Sequence, residues 1–107
     1  MTLGELIAWL EVRDPTTRVP IGFARPCSYR GYYEDLAFEI EENTTIGDML
    51  AAAKTALGAT FTGYKGGEYV MDADARVWLV AHYRETGEDI GPVLLAYMTG
   101  QLPGPRA

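Results

Sequence analysis

The stretch from Arg25 to Tyr33 carries the side chains best suited to ligand chemistry. It holds two arginines, three tyrosines and one serine, and no acidic residue, in a chain that is acidic elsewhere. Arginine makes bidentate contacts with phosphate or carboxylate groups, and tyrosine offers a ring for stacking and a hydroxyl. This combination predicts a site for a nucleotide-like, phosphorylated small molecule. The alternative is an ordered loop whose tyrosines pack on a sheet and whose arginines pair with Glu34, Asp35 or the acidic strand that follows.

A second candidate stretch, Thr60 to Tyr69, places Lys65 directly before two glycines. A lysine at a glycine-rich turn can present its ammonium group and neighbouring backbone N–H groups to a phosphate. The Walker A pattern GxxxxGK[ST] is absent from the sequence. An ordinary β-hairpin, in which glycines supply positive φ at the turn, is the competing interpretation and the one that this pattern favours.

If the first stretch folds over the hairpin, both stretches contribute to one binding surface. The arginines would then clamp a phosphate, the tyrosines would stack on a base or a ribose, and the lysine would add positive charge from the turn. The predicted ligand-binding residues are Arg25, Ser28, Tyr29, Arg30, Tyr32, Tyr64 and Lys65.

The other reactive side chains lack the partners that catalysis or metal binding requires. Asp72 and Asp74, with Glu68 nearby, could offer carboxylates to a hard cation, but the calcium-loop pattern is missing and a turn explains them as well. His82 is the one histidine of the chain, and no spacing supplies it with a second ligand or a nucleophile. Cys27 stands two residues from an arginine, which favours a lowered thiol pKa. We predict no catalytic residue, no metal site and no cofactor.

Composition limits the class of protein. The chain has 107 residues, of which 48% are hydrophobic and 22% charged, and its net charge is −6. These proportions predict one globular domain and exclude collagen-like, coiled-coil and wholly disordered chains. Negative charge disfavours general binding of nucleic acid or of an anionic membrane. A single cysteine allows no internal disulfide, and no apolar run approaches the roughly 18 residues of a membrane span. The expected location is the cytoplasm.

Hydrophobic spacing predicts three helices and five strands. Thr2 and Glu5 have the spacing of a capping box, and Pro92 has the place of a first-turn proline. Pro20 predicts that the first strand lies at a sheet edge. The predicted helices cover 2–13, 45–57 and the residues from 92 up to the glycine at 100. The predicted strands cover 18–23, 35–41, 59–64, 68–71 and 76–83.

This order of elements predicts a single α+β domain over residues 1–101, followed by a flexible tail at 102–107. The predicted architecture is a mainly antiparallel sheet of about five strands with about three helices packed on it. An acidic run without a basic residue spans Glu34 to Glu42. Its alternation predicts a solvated strand face, and the alternative is a surface that imitates nucleic acid and blocks a basic protein partner.

The two candidate stretches resemble a group of small accessory proteins from tailed bacteriophages. The resemblance lies in RPCSYRGYYEDLAFE (residues 25–39), in TIGDMLAAAKTALGATFTGYKGGEYVM (residues 45–71) and in the later Ile90-Gly91-Pro92, so it spans most of the chain. A histidine often stands in that group where this chain has Cys27. The departure weakens any general-acid or metal-binding role for this position.

The resemblance implies a counter-defence role, by analogy of size and gene context. Some small phage proteins are sponges, which are oligomers that bind a cyclic oligonucleotide or cyclic ADP-ribose signal and keep it from a host immune effector. An Arg/Tyr/Lys surface without an acid–base pair fits such sequestration better than turnover, so we expect a protein that is not an enzyme.

We also expect a homo-oligomer, because a small domain builds a deep pocket most easily between subunits. Two alternatives stay open. One is an acidic inhibitor of a protein partner, and the other is a phosphoesterase-type enzyme that acts through Glu68, Asp72, Asp74 or His82.

Overall fold

Each predicted helix and strand has a counterpart in the computed structural model, which describes residues 1–30, 32–81 and 87–100. The predictions for His82 and for the tail at 102–107 fall on residues outside these ranges. Within the described ranges there are three helices and six strands. The helices are α1 (Leu3–Glu11), α2 (Ile46–Ala56) and α3 (Pro92–Met98), and the strands are β1 (Arg18–Ser28), β2 (Asp35–Thr45), β3 (Thr60–Thr62), β4 (Glu68–Val70), β5 (Arg76–Val80) and β6 (Glu88–Asp89).

The helix ends form where the sequence predicted them. The Glu5 N–H donates to Thr2 Oγ1 at 3.2 Å, and the Thr2 N–H donates to Glu5 Oε1 at 2.8 Å, so the capping box is present. Thr45 caps α2 by accepting the Asp48 N–H at 3.1 Å. Gly58 follows α2 with a φ of +82°, the left-handed conformation that commonly ends a helix.

The main sheet has the strand order β1-β2-β5-β6. β1 lies at its edge, as Pro20 predicted. The β1–β2 and β5–β6 pairs are antiparallel, whereas β2 and β5 are parallel. A parallel pair needs a long crossover, and here α2 and the β3–β4 hairpin separate the two strands. The sheet is therefore mixed, although antiparallel pairing dominates.

β3 and β4 form a separate two-stranded sheet, in which Thr60 pairs with Val70 and Thr62 with Glu68. The predicted hairpin is present, but it does not join the main sheet. Its base is closed by the Met71 N–H, which donates to the carbonyl oxygen of Ala59 at 2.8 Å. The α+β prediction is confirmed, with six described strands in two sheets instead of about five in one.

β1 is longer than the predicted strand, because pairing with β2 resumes after a bulge between Ala24 and Pro26. The bulge contains Arg25, whose φ of +50° lies in the left-handed region. A bulge shifts the alternation of side chains, so the continuation to Ser28 has no simple two-residue period in the sequence. β6 lies between the fifth predicted strand and the last predicted helix, where the sequence predicted no element.

The helices cover one face of the sheet. Leu3, Leu6 and Leu10 of α1 are fully buried there, and the rings of Phe23 and Phe38 lie with their centroids 4.4 Å apart. Burial of one such leucine side chain contributes about 1.5–3 kcal/mol. Among the described helices, none is long and apolar enough to cross a membrane.

A smaller cluster lies on the opposite face of β2 and β5. It comprises the buried residues Tyr29, Ala37 and Val80, with Cys27 and Trp78 packed against them. The rings of Tyr29 and Trp78 are stacked, with centroids 4.6 Å apart and an interplanar angle of 9°. This cluster anchors the end of β1 and so fixes where the following segment begins.

Candidate functional site

The segment that follows β1 is hydrogen-bonded to the β3–β4 hairpin through Tyr69. The hydroxyl of Tyr69, in β4, lies 2.9 Å from the Oγ atom of Ser28 and 2.9 Å from the carbonyl oxygen of Tyr32. Ser28 also donates to that carbonyl oxygen at 3.4 Å. Three groups from two separate stretches of sequence thus form one hydrogen-bonded cluster.

Tyr33 makes a second connection, which the sequence analysis missed. Its hydroxyl accepts the backbone N–H of Lys65 at 3.2 Å, and its ring lies with centroids 5.6 Å from Tyr64 and 5.2 Å from Tyr69. The ring also occupies the space that a side chain at Gly63 would need. In the sequence, Gly63 is the one residue that could have indicated this close packing. A glycine alone does not identify the side chain that packs against it.

These contacts link the exposed side chains of the hairpin tip to an exposed side chain of the segment after β1. Tyr64 is 64% exposed, with Lys65 exposed next to it in the chain. Tyr32 is 42% exposed, and its ring lies edge-on to that of Tyr29, with centroids 5.9 Å apart. The Lys65 ammonium lies 5.6 Å from the centroid of the Tyr64 ring, within cation–π range. We call Tyr32, Tyr64 and Lys65 the hairpin surface. It offers stacking area and one positive charge, which are the groups that a base and a phosphate require.

Arg25 faces the acidic strand. Its guanidinium forms ion pairs with Glu39 at 3.0 Å and with Glu41 at 2.7 Å, and it also donates to the carbonyl oxygen of Ile40 at 3.3 Å. The hydrogen bonds to Glu41 and then to Glu39 raise the pKa of Arg25 above its ordinary value. The structure therefore places Arg25 in the role that the sequence left open as the alternative, and it neutralises part of the acidic face.

Tyr29 and Ser28 are buried, each with 5% of its surface exposed. One face of the Tyr29 ring is covered by Trp78, and its hydroxyl accepts the backbone N–H of Gly87 at 3.0 Å. Both side chains thus belong to the support of the candidate site. Arg30 is exposed and has a φ of +52°, which turns the chain sharply after Tyr29.

An acidic cleft of about 330 Å³ lies on the other side of Tyr33. Its charged lining comprises four carboxylates and one guanidinium, and that guanidinium is paired with Asp89 at 3.1 Å. Such a lining favours cations and disfavours phosphate. None of the seven predicted ligand residues is in this lining. The charged lining residues are Glu34, Asp35, Asp72, Asp74 and Arg76.

The sequence analysis expected a lowered thiol pKa for Cys27, and the structure gives the opposite direction. Burial, and next the negative charge of Glu39, raise the pKa of the Cys27 thiol to about 11. The expected lowering beside Arg25 does not occur, because that guanidinium is committed to Glu39 and Glu41. A thiol with a raised pKa is a poor nucleophile at neutral pH.

The carboxylates of the candidate region are not arranged around a common point. Asp72 accepts the Asp74 backbone N–H at 2.8 Å, as in a turn. In residues 1–30, 32–81 and 87–100, no group of three or more His, Cys, Asp or Glu side chains is placed to hold a metal ion. No family model, no curated protein and no solved structure matches this chain.

Proposed function

We propose that this chain is a phage counter-defence protein that binds and sequesters a nucleotide-type immune signal without turning it over. The ligand class is a cyclic oligonucleotide or a cyclic ADP-ribose. The observation that carries the proposal is the hairpin surface, in which two exposed tyrosine rings and one ammonium group belong to two stretches of chain that are linked by the hydrogen bonds of Tyr33 and Tyr69. The phage origin rests on the sequence resemblance.

The support beneath the hairpin surface favours binding. The hydroxyls of Tyr33 and Tyr69 hydrogen-bond to the backbone of Lys65 and Tyr32, so the backbone at these two positions is organised before a ligand arrives. Pre-organisation lowers the entropic cost of binding. Base–aromatic stacking contributes about 1–3 kcal/mol per base, and a charge-assisted contact contributes about 1.5–3 kcal/mol.

The roles of the predicted residues differ in this proposal. Tyr32 and Tyr64 stack on the base or the ribose, Lys65 contacts a phosphate, and Arg30 adds a second cation at the edge of the same segment. Ser28 and Tyr29 position the segment from below. Arg25 neutralises part of the acidic strand and makes no ligand contact.

The test is to incubate purified protein with cyclic dinucleotides, cyclic trinucleotides and cyclic ADP-ribose isomers, wash it, denature it, and identify the released compounds by mass spectrometry. We expect one compound to be recovered intact. Lys65→Ala should weaken its retention about tenfold to a hundredfold, the equivalent of one charge-assisted contact. Lys54→Ala is the matched control, because Lys54 is an exposed lysine paired with Glu11 on the helical side.

Each other outcome points to one alternative. Recovery of a cleaved compound would replace sequestration by a phosphoesterase-type activity and would direct mutagenesis to Asp72 and Asp74. Recovery of nothing would overturn the proposal for these ligands. An acidic inhibitor of a protein partner would then be tested by charge reversal at Glu39 and Glu41, which the sequestration proposal expects to leave ligand retention unchanged.

A further inference from the structure

We draw no further inference here: the strongest candidate, the apolar groove of about 320 Å³ between strand β1 and helix α3 that Ile21, Leu94 and Tyr97 help to line, carries none because nothing in the described part of the structure shows what covers it.

Discussion

The ring of Tyr33 lies in the space that a side chain at residue 63 would require. A Cβ atom added to Gly63 would overlap the Cε1 and Cζ atoms of Tyr33. The Tyr33 hydroxyl meanwhile accepts the Lys65 N–H. The two residues, thirty positions apart in the chain, thus depend on one another for the placement of the hairpin tip.

Gly63→Ala should therefore destabilise the protein by about 1–3 kcal/mol, the usual cost of overpacking. The substitution displaces the Tyr33 ring, so it should also weaken ligand retention by the hairpin surface. The measurement is the free energy of unfolding in urea for Gly63→Ala, Tyr33→Ala and the double variant. Because the two residues share one space, the double variant should be less destabilised than the sum of the single effects. Strict additivity would contradict the packing.

The backbone conformation of Arg25 leads us to expect an unusual order of stability among variants at this position. Its left-handed φ costs a non-glycine residue about 1–2 kcal/mol, whereas its ion pairs are exposed to solvent and contribute little to stability. Arg25→Gly loses the pairs but removes the strain, whereas Arg25→Ala loses the pairs and keeps the strain. We expect Arg25→Gly to be more stable than Arg25→Ala by about 1 kcal/mol. Equal melting temperatures would contradict the bulge conformation.

Cys27 should react slowly while the protein is folded. A thiol pKa of about 11, against an ordinary 9.0, means that little thiolate exists at pH 8. The rate of iodoacetamide alkylation should rise at least about tenfold on unfolding in urea at that pH, since each pKa unit is a tenfold change in thiolate. A native rate equal to the unfolded rate would show that the thiol is not shielded.

The raised pKa of the Cys27 thiol should also make the free energy of unfolding depend on pH in the alkaline range. The folded state prefers the neutral thiol, so this contribution is fully present below pH 9.0 and is lost as the pH rises towards about 11. The free energy of unfolding of wild type should therefore fall over this range more steeply than that of Cys27→Ala. Parallel curves would indicate that Cys27 does not contribute.

Glu5 should make the free energy of unfolding depend on pH in the acidic range. Its hydrogen bonds with Thr2, first to the backbone and then to the side chain, lower its pKa from the ordinary value of 4.5. The stability it contributes is present above pH 4.5 and is lost as the pH falls through the lower folded value. The difference in the free energy of unfolding between wild type and Glu5→Gln should shrink as the pH falls below 4.5. Glu42→Gln, at an exposed position of β2, is the control.

Local signals were enough to predict most elements of this fold. The capping box at Thr2 and Glu5, the proline at the start of α3 and the glycine after α2 act within a few residues, so the sequence displays them directly. The parallel pairing of β2 with β5 is different. It depends on how the chain returns after α2 and the hairpin, and no local pattern encodes that path.

The candidate site was predictable in its residue types more than in its geometry. The contact between the two stretches exists, but Tyr33 and Tyr69 make much of it, and neither was among the predicted ligand residues. Arg25 and Tyr29 have the right chemistry for a ligand, yet Glu39 and Trp78 occupy them. Side-chain type limits what a residue can bind, whereas tertiary neighbours determine whether it is accessible.

The β3–β4 hairpin does not pair with the main sheet, and each of its strands has only three residues. A two-stranded hairpin of this size is marginal by itself, and this one depends on the packing of Phe61 and Tyr69 against the core. We expect its opening to cost less free energy than global unfolding. The backbone N–H of Lys65 should then exchange with deuterated solvent through a partial opening, well before those of α1 and β2. The hairpin surface would thus be assembled and lost as a unit, on a timescale of its own, while the core stays folded.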